Sequence, residues 1–241
     1  MIRFLSALLA TMLTAPVLTA QDAWSTSRQM VLVTTASWDA PEATVSLWTR
    51  TGPDVPWEAA SSVMPAVVGR NGLGWGRGLH EASATGPQKR EGDGRAPAGV
   101  FRLAFAFGYE AEAPGVRMPY RQATDATRCV DDTASRWYNR WVQEDAVARD
   151  WGSHEEMRRR DELYRLGVWV EHNADPPRPG EGSCIFLHIR AGGGAPTSGC
   201  TALEPESLET IVHWLDPAAL PVLVQLTTAE RRRLRDSWQL P

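Results

Sequence analysis

Cys184-Ile-Phe-Leu-His188-Ile-Arg190-Ala-Gly-Gly-Gly-Ala-Pro-Thr197-Ser-Gly-Cys200 is the stretch on which the fold turns. It opens with a run that is apolar on both faces, the pattern of a central strand covered on both sides, and sets an imidazole inside that run. A glycine-rich connection then turns the chain back to Gly199-Cys200, 12 residues after His188. Thiolate chemistry needs a base within hydrogen-bond reach, and a histidine beside a cysteine supplies one. Gly199 next to the thiol lets backbone approach a substrate, and the amides of Gly199 and Cys200 are suited to stabilise an oxyanion. The same residues also suit a buried apolar cysteine and a satisfied core histidine.

Strand patterns extend outward from this stretch. Downstream, Pro205 at a first helical position opens a helix with Leu208, Ile211, Val212 and Leu215 on one stripe, closed by Pro217. Residues 222–226 form a strand, and Thr227-Thr-Ala-Glu230 caps a short basic helix. Upstream, residues 168–172 read as a strand. Before them the pattern turns helical over about 120–166, with a capping box at Ser153-His-Glu-Glu156, Gly167 as the terminating glycine and Arg158-Arg159-Arg160 as a solvated face. Phe101, Leu103, Phe105 and Phe107 alternate as a strand with one aromatic face. Residues 69–78 form a glycine-rich loop that fits no phasing of G-x-G-x-x-G, and residues 30–38 and 44–49 are strands joined by a turn at Ala40-Pro41-Glu42. The sum is a mainly β, sandwich- or barrel-like single domain over 21–241, with a helical insertion at about 120–166 and short C-terminal helices.

Composition narrows the function. The chain has 241 residues, 43% hydrophobic and 22% charged with 11 Trp, which excludes a disordered polymer. Its net charge, 25 − 29 = −4, gives no general attraction to nucleic acid or anionic lipid, and Lys89 is the one lysine. Arg3, an apolar run over 4–18 broken by Pro16, and Leu18-Thr19-Ala20 make the pattern of a secretory signal peptide over 1–20, too short for a membrane span. In an oxidising compartment three cysteines leave one unpaired, and Cys129–Cys184, Cys129–Cys200 and Cys184–Cys200 all remain open. With no H-E-x-x-H and no C-x-x-C, zinc is not expected. His172 is expected to be structural, His213 solvated, and His80 and His154 to lie in a loop and a first helical turn.

The opening stretch resembles the catalytic domain of the L,D-transpeptidase (YkuD) family, in which a strand histidine is followed by [S/T]-x-G-C, here His188 and Thr197-Ser198-Gly199-Cys200. Lys89-Arg-Glu-Gly-Asp-Gly-Arg-Ala-Pro97-Ala-Gly99-Val-Phe101 resembles the family's T-P-x-G-x-F segment. Arg70 to Gly78 and Cys129-Val-Asp-Asp132 resemble features of a divergent branch with a helical insertion, so the likeness covers about residues 30–226. It implies Cys200 as nucleophile, His188 as general base and then acid, the Ile189 carbonyl as the group orienting the imidazole, and Gly199 with Cys200 as oxyanion donors. It also implies a Cys129–Cys184 disulfide, with Thr197, Ser198, Arg190, Trp75 and Lys89 as candidate substrate contacts. The implied activity is attack on a peptidoglycan tetrapeptide stem to form a thioester, resolved by an amine into a 3→3 cross-link or by water into a trimmed stem. A cell-wall binding module with relic residues is the non-catalytic alternative. Peptidoglycan stem peptides are the implied partners, with no cofactor, no nucleic acid, a periplasmic location and a monomeric chain free of membrane segments once the leader is removed. Two positions depart from the family pattern: Ser198 replaces a histidine, and Thr201-Ala202 replace the usual Asn or Arg after the cysteine.

Overall fold

Buried Met30, Val31, Leu32 and Val33 make β1 (Gln29–Thr35), which pairs antiparallel with β2 (Glu42–Thr49), where Ala43, Val45 and Leu47 alternate inward. The computed structural model describes residues 23–83 and 85–241; the leader expected over 1–20 lies outside them. β3 (Glu58–Ala59) and β4 (Met64–Val67) both pair with β2, and β5 (Leu73–Trp75) runs parallel to the start of β6 (Ala96–Gly108). Three short strands follow, β7 (Tyr120–Gln122), β8 (Thr127–Cys129) and β9 (Trp141–Gln143), and then β10 (Glu155–Glu156). β11 (Leu166–Val170), β12 (Phe186–Ile189) and β13 (Thr201–Leu203) lead to α1 (Pro205–Trp214), β14 (Val222–Thr227) and α2 (Thr228–Leu234).

The main sheet runs β1–β14–β6–β11–β12–β13–β4–β2 and returns to β1, so it closes on itself as a barrel and leaves no long open edge. β12, the predicted central strand, is buried along its whole length, and its side chains alternate between two cores. Leu187 and Ile189 join the larger one with Leu203, Leu208 and Ile211, while Phe186 joins Phe107, Tyr164 and Trp169 in the smaller. α1 begins at Pro205 as predicted and packs its Leu208, Ile211 and Val212 stripe on β11 and β12. At roughly 1.5–3 kcal/mol per buried aliphatic side chain, this stripe clamps the strand that carries His188. The cap predicted for the last helix is present: Thr227 Oγ1 accepts from the Glu230 N–H at 3.1 Å.

The expected helical insertion is not helical. Between residues 120 and 166 the chain makes short strands, turns and one 3-10 turn (Glu144–Ala146), and β10, β8 and β9 form a separate three-stranded sheet. The Ser153–Glu156 capping pattern fails because the donors that would close a helix are taken by neighbours. Glu155 and Glu156 pair with Cys129 and Arg128, the Met157 N–H donates to Thr127 O, and the Arg159 N–H donates to the Tyr109 hydroxyl. Gly167 does not end a helix either. It lies inside β11, where a Cβ would sit 2.3 Å from the Phe107 ring, so the glycine lets two strands pack. The glycine-rich loop over 69–78 contains a strand as well, β5, held by its pairing with Ala96–Ala98.

Candidate active site

Strand register sets His188 and Cys200 on one face. β12 and β13 are parallel neighbours, with His188 opposite Ala202 and Leu187 opposite Thr201. Directly opposite residues of a parallel pair share a face and alternate along the strand, so Cys200, two before Ala202, lies on the His188 face as its diagonal neighbour. Thr201 takes the other face and donates its hydroxyl to Gln225 Oε1 at 2.6 Å. Both His188 and Cys200 line one cavity of about 800 Å³, closed on one side by the insertion. Cys129 and Cys184 form a disulfide that ties β8 of the insertion to the segment leading into β12, and Cys200 is the free thiol.

The hydrogen bonds of the pair set its protonation. His188 Nδ1 is 2.8 Å from the Ile189 carbonyl, an acceptor only, so Nδ1 carries the proton and Nε2 keeps its lone pair. Burial pushes the imidazole down to about 4, partly offset by that carbonyl, which keeps the ring neutral near pH 7. Cys200 Sγ accepts the Phe186 N–H at 3.3 Å and donates its proton to the Cys184 carbonyl at 3.4 Å. Burial, and then the nearby Glu155, raise the thiol far above its ordinary value; the Phe186 amide, Lys89 and Arg159 favour the thiolate but do not outweigh them. The resting pair is therefore a neutral thiol and a neutral imidazole.

The family model of the YkuD L,D-transpeptidase catalytic domain matches residues 58–224, a span that contains both residues of this pair. The chain belongs to the YkuD family. Members of this family are L,D-transpeptidases, and the family belongs to peptidoglycan metabolism. Among solved structures, the helical cell shape determining protein Pgp2 from Campylobacter jejuni is similar at 14% identity and a TM-score of 0.40, over 83% of this chain and 47% of that one. The chain thus spans about half the length of that relative. Comparison with the curated proteins gives no match.

The other residues expected at this YkuD site divide. Thr197, Ser198 and Gly199 line the cavity, but Thr197 is occupied by the turn itself, donating to Cys200 O (2.6 Å) and accepting the Gly199 N–H (3.1 Å). The Gly199 amide, expected as an oxyanion donor, already has this partner; the compact turn that presents Cys200 consumes it. Ser198 Oγ accepts from Arg70 at 3.3 Å. Lys89 reaches the cavity wall, where its ammonium bonds Asp93 (2.6 Å) and the Arg90 carbonyl (2.6 Å). Arg190 does not line the cavity: it continues the ladder to Leu203 O, and its guanidinium turns to Glu204. Trp75 is drawn away too. The glycine-rich segment after β5 approaches β6 so closely that a Cβ on Gly78 would meet Val100 O at 2.1 Å, and Trp75 is buried among Trp38, His80 and Trp238. His172 is structural as expected, bonded to the Glu181 carbonyl and the Arg77 amide.

Sequence reasoning missed the opposite wall. Tyr164 sets its ring edge-on against His188, 5.0 Å between centroids, and donates its hydroxyl to Glu155 Oε2 at 2.5 Å. Arg159, expected on a solvated helix face, lines the cavity and pairs with Asp161 at 2.5 Å. The signal available was the acidic pair Glu155-Glu156 inside the false capping box, where helical bookkeeping hid it. Among the described residues no group of His, Cys, Asp and Glu is arranged to hold a metal, and no helix is long and apolar enough to cross a membrane.

Proposed function

We propose that this chain is a cysteine acyltransferase that acts on peptidoglycan stem peptides as an L,D-transpeptidase. The observation that carries the reading is the diagonal pair of Cys200 and His188 in one cavity, with Nδ1 held by the Ile189 carbonyl so that Nε2 is the available base. The thiol turns its proton from the Cys184 carbonyl to His188 Nε2, and the sulfur attacks the carbonyl of the L-centred residue of a tetrapeptide stem. The carbon–nitrogen bond breaks, His188 returns the proton to the departing D-residue amine, and a thioester remains on Cys200. With the Gly199 N–H donated to Thr197 Oγ1, the Cys200 amide is the remaining oxyanion donor of the expected pair. An amine of a second stem then displaces the sulfur and makes the cross-link. Peptidoglycan lies outside the cytoplasmic membrane, so the reading includes export to the periplasm, for which the leader pattern over 1–20 is the support.

Incubation with a tetrapeptide muropeptide, followed by chromatography and intact-mass spectrometry, tests this. Wild type is expected to give a cross-linked dimer through an adduct on Cys200 that Cys200→Ala lacks. A trimmed tripeptide alone would make water the acceptor in the same site. No turnover and no adduct would leave a binding module.

A further inference from the structure

The charged side chains that face the thiol come largely from the insertion. Asp131, Glu155, Glu156, Arg159 and Arg160 line the cavity, whereas the two positions after the nucleophile offer only a Thr201 hydroxyl turned to Gln225 and the Ala202 methyl. Glu155 is tied to the reacting pair by two routes, one ending at His188 and one at the Cys200 sulfur. Through side chains, its Oε2 accepts from Tyr164, whose ring edge contacts His188. Through backbone, it lies opposite Cys129, which is bonded to Cys184, whose carbonyl accepts from Cys200. Asp131 lines the same wall, and its Oδ1 is buried without a partner among the described residues.

The chemistry of transfer requires a group at this place. A stem amine arrives as an ammonium and must lose one proton before its lone pair can attack and another after the new bond forms. One imidazole accepts one of them. We propose that Glu155 is a second catalytic base, receiving the first proton of the incoming ammonium while Tyr164 holds its carboxylate toward the thioester. This rests on the acyl-transfer reading and assigns its acceptor as a primary ammonium. The ammonium gives one proton to the Glu155 carboxylate; the free amine attacks the thioester carbonyl; His188 Nε2 takes the second proton as the carbon–sulfur bond breaks and passes it to the departing thiolate. Glu155 then releases its proton to solvent, so the net products are an amide, the free thiol and one proton.

Its surroundings suit the task. Burial, with Asp131 and Glu91 adding like charge, raises Glu155 to about 7 against the opposing pull of Tyr164 and Arg159, so it can both take and shed a proton near neutrality. Cys200 adds no charge beside it in this step, because its sulfur is then held in the thioester.

The test compares two acceptors on the acyl-enzyme of the full chain: a diaminopimelate-containing tripeptide, whose amine is an ammonium, and hydroxylamine, which is uncharged near neutrality. Glu155→Gln should still form the Cys200 adduct by intact mass, no slower than wild type because the neutral amide no longer holds the thiol up, and should discharge normally to hydroxylamine. Its discharge to the tripeptide should slow by about 100-fold and, where wild type is expected to rise and level off above about 7, should track the free-amine fraction and climb with pH without levelling. Tyr164→Phe, which keeps the ring against His188 and removes the hydrogen bond, should be slowed in the same acceptor-selective way. Equal discharge of wild type and Glu155→Gln to the tripeptide overturns the proposal, and so does equal slowing with both acceptors or failure of both variants to acylate when wild type does. If wild type itself forms no Cys200 adduct, the acyl-transfer reading fails and this proposal falls with it.

Discussion

At the scale of single residues the site is poised rather than ionised. A buried thiol and an imidazole held down to about 4 do not form an ion pair at rest, so the thiolate population is set by pH. Alkylation of Cys200 by iodoacetamide, followed by intact mass, is expected to accelerate about tenfold per pH unit from 7 to 9 with no plateau; a plateau near 7 would reveal a preformed thiolate–imidazolium pair. Gly167 is the second residue with an outsized role, since any Cβ there meets the Phe107 ring at 2.3 Å. Gly167→Ala is expected to cost about 1–3 kcal/mol in urea denaturation, as overpacking of a dense core does. His188 and Cys200 can be read as a candidate pair from their spacing along the chain, whereas the Ile189 carbonyl is implied only by the family resemblance. Glu155 and Tyr164 could not be read from the sequence, because their meeting depends on a disulfide and a strand pairing that no local pattern encodes.

At the scale of elements, β12 and the insertion sheet matter most. α1 holds β12 from one side, and Leu208→Ala should cost about 2–5 kcal/mol through the cavity it leaves, seen as an earlier urea midpoint. The Cys129–Cys184 bond closes a loop with a sequence separation of 55, worth roughly 4 kcal/mol in the chain-entropy model. Its effect should be local. Reduction under native conditions is expected to raise hydrogen exchange in β8 and β10 while β1 and β14 stay protected, because those strands sit in the closed barrel. Loss of protection in all four strands together would make the insertion and barrel one cooperative unit. The helices were legible because a Pro start, an apolar stripe and a Thr cap are local signals. The insertion was misread for the converse reason: its capping pattern is genuine as a string, but its backbone donors find better acceptors in β8 and on Tyr109.

At the scale of the whole molecule, buried histidines link the fold to pH. Burial lowers His80 to about 4, His172 to about 3 and His188 to about 4. Each folded value lies below the unfolded value near 6.5, so the unfolded chain binds more protons in that interval and stability falls as pH drops from about 6.5 toward 4. The slope is at most about 1.4 kcal/mol per pH unit for each histidine. Glu155, raised to about 7, acts oppositely, its contribution shrinking as pH rises from the unfolded carboxylate range through 7. Three histidines outweigh one carboxylate, so the urea midpoint is expected to fall on acidification from pH 7 to 5; an unchanged midpoint would mean these rings are hydrated. The sequence by itself determined the β class, the helix that follows the nucleophile, and the histidine–cysteine motif, because these rest on side-chain period, local capping and chain spacing. Only the tertiary structure decided that the barrel closes, that the insertion is a small sheet, that Trp75 and Arg190 leave the site, and that Glu155 and Tyr164 enter it. Those outcomes follow from which distant strands pair and which buried polar groups find partners, and such contacts exist only once the chain has folded back on itself.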